Sequence, residues 1–412
     1  MSYRRAIAIR EFRSLWLASL QSWLGDQLAR IAISVLVYER TGSAAITAIT
    51  FAMSFLPTFI GGVLLSGLAD RFPRRTVLVL CDLARAGAVM LMLVPGEPVV
   101  VLCVLLCVEA IVSALFSSAE AALIPDVVPH DVYPAALAIH STTNQLAQFV
   151  GFAVGGVLVA LLGPITALSV DVATFLVSAF LIWYSVSARN VRRVEPGRSY
   201  RSSISAGITV LASSPRLRIL GSLIWLEAFY VAGEGLAVPY ARSVGGGAAA
   251  SGLLLAAGPV GTAVGVIVVT KLITAGNRLR WLGPLAFATG LPLLVCALHP
   301  GLVITLVAWG ASGVLSGYYV TAASEFTLWT PEQMRSQIVG IAAAILTTAQ
   351  GLAMVAAGIA ASAMGPARAV AVAAAVGMIC ALVAGLRWLR FEKSLSEEDS
   401  IAIAESRKAE VL

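Results

Sequence analysis

Long apolar runs alternate with short polar turns along almost the whole chain, and each run is 18 to 28 residues long. Cut at turn residues and charges, they fall at 14–38, 44–69, 76–94, 99–122, 134–161 and 164–186, then at 217–240, 249–270, 281–298, 301–323, 338–362 and 366–388. A hydrocarbon core about 30 Å thick is crossed by about 20 helical residues, so each run predicts one spanning helix. The pattern predicts an all-α membrane protein of twelve transmembrane helices.

The second six runs repeat the first six. Shifted by 202 positions, Trp23 falls on Trp225, Tyr38 on Tyr240, Arg40 on Arg242, Gln148 on Gln350 and Gly156 on Gly358. Pro57, Pro98, Pro129 and the pair Gly163-Pro164 meet Pro259, Pro300, Pro331 and Gly365-Pro366 without a gap. Such register indicates a tandem duplication, giving two pseudo-symmetric six-helix halves. The expected division is an N-terminal half over 1–186, a cytoplasmic connector over 187–216, a C-terminal half over 217–390 and a cytoplasmic tail over 391–412. Two parallel halves related by an axis along the membrane normal place a binding site between them near the midplane. Within the connector, 205–211 is expected to form a short interfacial helix, and the tail to be solvated or weakly helical.

Composition agrees with a lipid environment and excludes a soluble fold: charged residues make up 12% of the 412 and hydrophobic ones 59%, with a mean hydropathy of +0.90. Arg4, Arg5, Arg10 and Arg13 precede the first run, which is too long for a signal peptide and carries Asp26, Gln27 and Arg30, so it is expected to be retained as a span. With the N-terminus inside, almost every arginine and lysine falls in an inner segment, and the outer loops keep Arg40, Arg242 and Arg368. The positive-inside rule then puts both termini in the cytoplasm of a bacterial-type inner membrane. The formal charge of +6 thus reads as topology and contact with the lipid bilayer, with no nucleic-acid partner. Five scattered cysteines and three scattered histidines offer no metal or disulfide pattern, and no catalytic nucleophile or phosphate loop is recognisable, so neither an enzyme nor a cofactor is expected.

One short turn departs from this aversion to charge: Ser-Gly-Leu-Ala-Asp-Arg-Phe-Pro-Arg-Arg over 66–75, between the second and third runs. Asp70-Arg71-Phe72-Pro73-Arg74-Arg75 resembles the signature that the major facilitator superfamily carries there, with Ser66 and Pro73 standing where the pattern has glycine. Further pieces resemble the bacterial drug:proton antiporter branch that includes macrolide and siderophore exporters. They are Gly151 to Gly156 in span 5, Gly25-Asp26 in span 1, Val37 to Ser43 after it, Pro125 to Pro129, Asp171 to Phe175, and Pro331-Glu332 to Arg335. The resemblance implies a secondary transporter exchanging protons for a small-molecule substrate, acting as a monomer. It also implies a conformational latch of Asp70, Arg71, Arg74 and Arg75, in which Asp70 faces the start of span 11 and an arginine pairs with Glu120 or Asp126. The arginine that many antiporters of the superfamily carry in span 4 is missing, and Glu109 occupies that region.

Ionisable residues at membrane depth are costly and mark function by default. Asp26 and Arg30 are four apart, and Asp82 and Arg85 three apart, so each pair can neutralise itself on one helix face; the second reads as structural. Glu109, Glu227 and Glu234 have no basic neighbour in their own spans, and Asp171 is alone on span 6. A carboxyl without a partner in low dielectric suits a group that must take and release a proton. Asp26, Glu109, Glu227 and Glu234, with Asp171 next, are therefore the candidates for proton coupling. Trp23, Gln27 and Arg30, the amides Asn144, Gln145, Gln148 and Gln350, and the aromatics Trp225, Phe229, Tyr230, Tyr318 and Tyr319 are candidates for the substrate cavity. Such a surface suits a bulky, amphipathic, cationic compound. A proton-coupled importer of a small nutrient and a transport-inactive scaffold or sensor remain as alternatives.

Overall fold

The computed structural model describes residues 2–61, 72–187, 189, 200–274 and 277–411, and no strand occurs among them. The signature residues Asp70 and Arg71 lie outside the described residues, as does much of the connector.

In the N-terminal half the helices are α1 (Arg10–Thr41), α2 (Ala44–Ala52, followed by turns around Pro57), α3 (Arg74–Met92), α4 (Val99–Val127), α5 (Tyr133–Leu162) and α6 (Pro164–Ser185). The C-terminal half follows with α7 (Pro215–Ser243), α8 (Ala248–Leu272), α9 (Leu282–Leu298), α10 (Leu302–Trp329), α11 (Arg335–Met364) and α12 (Pro366–Val411). Eight of these, α4 to α8 and α10 to α12, are long and apolar enough by composition to cross a membrane. Both α1 and α3 instead carry charged residues near their middles, which return below.

Turn chemistry sets the ends. Ser43 and Ser214 accept hydrogen bonds from the backbone amides of Ile46 and Leu217, capping α2 and α7. Between α5 and α6, and again between α11 and α12, one glycine turns the chain at φ +81° and +85° and a proline starts the next helix. The repeated Gly-Pro pair is thus the same turn used twice. The connector helix expected over 205–211 is present as Tyr200–Ser213 and rests on the start of α11 at Ile341. Just after α6, where the connector begins, Ser187 donates a hydrogen bond to Glu11 of α1, which also pairs with Arg189 at 2.6 Å. Burial pushes the Glu11 carboxyl up, but these contacts outweigh it and hold the group below its ordinary value.

Packing follows the duplication. In the N-terminal half α1 lies on α5 and α6 while α3 lies on α4 and α6; in the C-terminal half α9 lies on α12 as α3 does on α6. The halves meet along two seams, α5 on α8 and α2 on α11, which exchange under the repeat. Each seam is close at a glycine of the repeated pair: a Cβ on Gly156 would strike Gly252 and the Ala248 carbonyl, and one on Gly358 would strike Ala48. Helices approach this closely only where a side chain is lacking. Both contacts lie toward the end of the bundle where Arg242 of α7 pairs with Glu39 of α1 at 2.9 Å.

Overpacking of this kind costs about 1–3 kcal/mol. Gly156→Leu and its repeat mate Gly358→Leu should each lower the melting temperature of the detergent-solubilised protein by several degrees. Melting at the wild-type temperature would mean that the helices do not touch there.

Candidate functional site

Inside the N-terminal half a guanidinium sits where no water reaches. Arg85 of α3 is 1% exposed and packs between the rings of Phe116 of α4 and Phe175 of α6, at 4.5 and 4.3 Å from their centroids. It hydrogen-bonds to Asp82 one turn earlier, and its other Nη lies 3.8 Å from Asp26 of α1. Asp82 accepts a further bond from Ser178 of α6 at 2.6 Å. A buried ion is tolerated only when paired and hydrogen-bonded, and here four helices contribute to one cation. The Asp82–Arg85 pair expected from spacing is present, while Asp26 faces Arg85 across helices.

Beside it lies a narrow cavity of about 20 Å³ lined by Asp26, Arg30, Glu109 and Asp171, with Ser54 at its edge. Asp171 is 1% exposed and accepts a bond from Thr174 at 3.2 Å. The three carboxyls lie on α1, α4 and α6, far apart in sequence.

A larger cavity of about 250 Å³ opens between the halves. Glu227 and Glu234 of α7 face into it, opposite Arg30 and the amides Gln145, Gln148 and Gln350. The repeated pair Gln148 and Gln350 thus reaches the same space from both halves. Two helices are irregular at this level. In α7 the α-helix gives way to a 3-10 stretch over Val231–Leu236 that carries Glu234, and α10 breaks at Ser316 and Gly317. Ser316 at the break donates to Glu227, 3.1 Å away. Interruptions of this kind free backbone and side-chain groups to face a cavity.

Arg30 lines both cavities. Its guanidinium bonds to Gln27 at 3.2 Å and lies 5.2 Å from the Phe55 ring, and among the described residues no carboxylate comes within ion-pair distance of it.

A family model described as transmembrane secretion effector, of the major facilitator type, matches residues 5–411. The chain belongs to the major facilitator superfamily. Among its relatives, the "Multidrug efflux pump Tap" of Mycobacterium tuberculosis is 25% identical over 369 residues, covering 83% of this chain and 84% of that protein. "Uncharacterized MFS-type transporter YkuC" of Bacillus subtilis is 26% identical over 198 residues, 47% of this chain and 46% of its own. Against the two Bacillus transporters it matches, the chain spans about half their length, 46% and 55%. A solved bacterial homologue of the human lysosomal transporter Spinster, in an inward-facing, occupied conformation, superposes with a TM-score of 0.71 at 14% identity, over 95% of this chain and 97% of that one. By family and by its long apolar helices the chain is a multi-pass membrane protein of this superfamily.

Of the residues expected to form the substrate cavity, Arg30, Gln145, Gln148, Tyr230, Tyr319 and Gln350 line the central one. Several expected members do not. Tyr318 is fully buried and spends its hydroxyl on the Leu223 carbonyl, Trp225 spends its indole N–H on Ala342, and Phe229 packs against Gly377. Trp23 packs on His140, Gln27 is buried against Gly151, and Asn144 is absent from the lining. Helical spacing alone could not tell a lining face from a packing one. Phe55, Trp309, Thr262 and Pro259 line the cavity unforeseen, although the Pro57–Pro259 repeat had marked the level of the last. Of the latch residues, Arg74 pairs with Asp126 at 2.5 Å and also bonds to the Ala122 carbonyl, and Arg75 bonds to the Trp183 carbonyl. Glu120, the other expected partner of an arginine, instead meets Ser19 and His140.

Breaking a buried pair from one side leaves an uncompensated charge and costs about 3–5 kcal/mol. Arg85→Gln should therefore lower yield and melting temperature sharply, and Asp82→Asn in the same chain should restore part of the loss. An Arg85→Gln protein as stable as wild type would remove the cation from its structural place.

Proposed function

We propose that this transporter is a proton-driven exporter of a bulky amphipathic cation. The observation that carries the reading is the place of Arg30 in the wall between the acid cavity of the N-terminal half and the central cavity with Glu227 and Glu234. Among the described residues, Asp26, Asp82, Glu109 and Asp171 cluster around Arg30 and Arg85. Two guanidiniums balance two carboxylates, so protons are the natural balancing charge for the other two. When the acid cavity is ionised it holds Arg30, and Glu227 and Glu234 are left to bind a cation. Protonation of the acid cavity releases Arg30 toward these glutamates, and the guanidinium displaces the substrate. Proton and substrate then compete through one side chain, which is the requirement for exchange. The multidrug efflux name of one relative supports the outward direction.

The orientation inferred from the positive-inside rule places both termini in the cytoplasm of a bacterial inner membrane. The two glycine seams then lie toward the external face, and the central cavity serves the cytoplasmic side, from which an exporter loads. Rocking of the halves over 1–186 and 217–390 about these seams gives alternating access by a single chain, with the latch that the family signature implies acting when the cytoplasmic face closes.

The test is uptake of lipophilic cationic dyes into inside-out vesicles with a proton gradient imposed and then collapsed. Wild-type accumulation should need the gradient, and Arg30→Gln and Asp26→Asn should abolish accumulation against a concentration difference while leaving insertion intact. Accumulation that persists without a gradient would sink proton drive.

Loss of one charge partner at a cation site is worth about tenfold in affinity, equivalent to ~1.4 kcal/mol. Glu234→Gln should accordingly raise KM for a cationic dye by about that factor and leave a neutral analogue unaffected. An equal effect on both compounds would deny the carboxylate a role in charge recognition.

A further inference from the structure

Three polar groups lie along one stripe of α1, at Ser19, Ser22 and Asp26, three and four residues apart. Ser22 is 1% exposed, and its hydroxyl has no hydrogen-bond partner among the described residues; the same holds for Oδ1 of Asp26. Leaving a buried hydroxyl unsatisfied is costly, which marks this stripe for a role beyond packing. At its end toward Arg74, the Ser19 hydroxyl hydrogen-bonds to Glu120 of α4, a carboxylate only 2% exposed. Nε2 of His140 on α5 lies 3.1 Å from the same carboxylate oxygen. The imidazole side chain is 21% exposed, so it links a buried acid to the outside. Trp23 packs edge-on against it at 4.8 Å between ring centroids. Ser19, Ser22, Trp23, Glu120 and His140 line neither cavity.

We propose that Ser22, Ser19, Glu120 and His140 form the proton path between Asp26 and solvent at the Arg74 end of the N-terminal half. The proposal rests on the proton coupling argued above and names the route by which the acid cavity empties. Groups one turn apart are about 5–6 Å from each other, so single water molecules bridge the steps along α1. Each hydroxyl or water accepts a proton on oxygen as it passes its own forward, and so ends unchanged. Glu120 takes up the proton and gives it to Nε2 of His140. The imidazolium releases its other proton from Nδ1 to solvent, and proton exchange with solvent returns the ring to its first tautomer. At its buried end the path meets Asp26, which faces Arg85, Arg30, Glu109 and Asp171; beyond its solvent end the Arg74–Asp126 pair lies further along α4.

The test compares gradient-driven dye uptake with dye–dye exchange at zero gradient, which needs no net proton movement, in inside-out vesicles of the full chain. Glu120→Gln, His140→Ala and Ser22→Ala should each slow gradient-driven uptake about tenfold and leave exchange at the wild-type rate. Imidazole added to the bath should restore the His140→Ala rate, an effect that a structural role for the side chain would not produce. Ser22→Ala breaks no hydrogen bond among the described residues, so it keeps the proposal testable if a glutamate or histidine variant fails to insert. Unslowed uptake in Ser22→Ala and Glu120→Gln, equal loss of uptake and exchange, or a His140→Ala rate indifferent to imidazole would each overturn the path. A wild-type protein indifferent to the gradient would instead overturn proton drive itself, so the two failures are distinguishable.

Discussion

The N-terminal half is organised around the need to neutralise one guanidinium in lipid. Arg85 is held by Asp82 and Asp26 and enclosed by Phe116 and Phe175, so α1, α3, α4 and α6 all contribute to its surroundings. An unpaired charge at this depth costs several kcal/mol, and each helix that helps to offset that cost is fixed relative to the others. The acid cavity beside it inherits this rigidity: Asp26 belongs to both arrangements, and Arg30 stands one turn further along the same helix.

The duplicated half does not repeat the solution. Under the shift of 202, Asp26, Asp82 and Arg85 correspond to Ala228, Pro284 and Phe287. The C-terminal half is held instead by close backbone contact, with Gly261 and Gly265 of α8 against α10 and Gly283 of α9 against Gly385 of α12. Dispersion at short range replaces ion pairing there. It is also the half in which α7 and α10 are interrupted, at the level of Glu227 and Ser316. One half thus carries a tightly braced charge cluster and the other a more deformable wall, and the central cavity lies between them.

The two seams use the same device twice. Gly156 and Gly358 are repeat partners, and each lets α5 or α11 approach a helix of the opposite half, away from the Arg74–Asp126 end. Contacts made by small residues at one end of a bundle leave the other end free to part, which is the geometry that rocking about a fixed site needs. Arg242 and Glu39 add an exposed ion pair at the same end; at the surface such a pair contributes less than about 1 kcal/mol and serves mainly to set register.

Segment count, span length and duplication were legible in the sequence because lipid imposes them on each helix separately: about 20 apolar residues to cross, glycine and proline to turn, and a repeat that preserves both. The Asp82–Arg85 pair was legible for the same reason, since both residues lie on one turn of one helix. So were Gln148 and Gln350, which the repeat marked and the cavity brings together. The partners contributed by other helices were not. That Asp26 faces Arg85, that Glu120 meets His140 and not an arginine, and that Tyr318 and Trp225 brace the backbone and leave the cavity wall to Trp309 and Phe55 depend on how each helix is rotated about its own axis. In lipid that rotation is set by packing against neighbouring helices, and no single segment carries the information. The sequence alone therefore determined which residues enter the membrane and in what order; only the tertiary structure decided which of them meet.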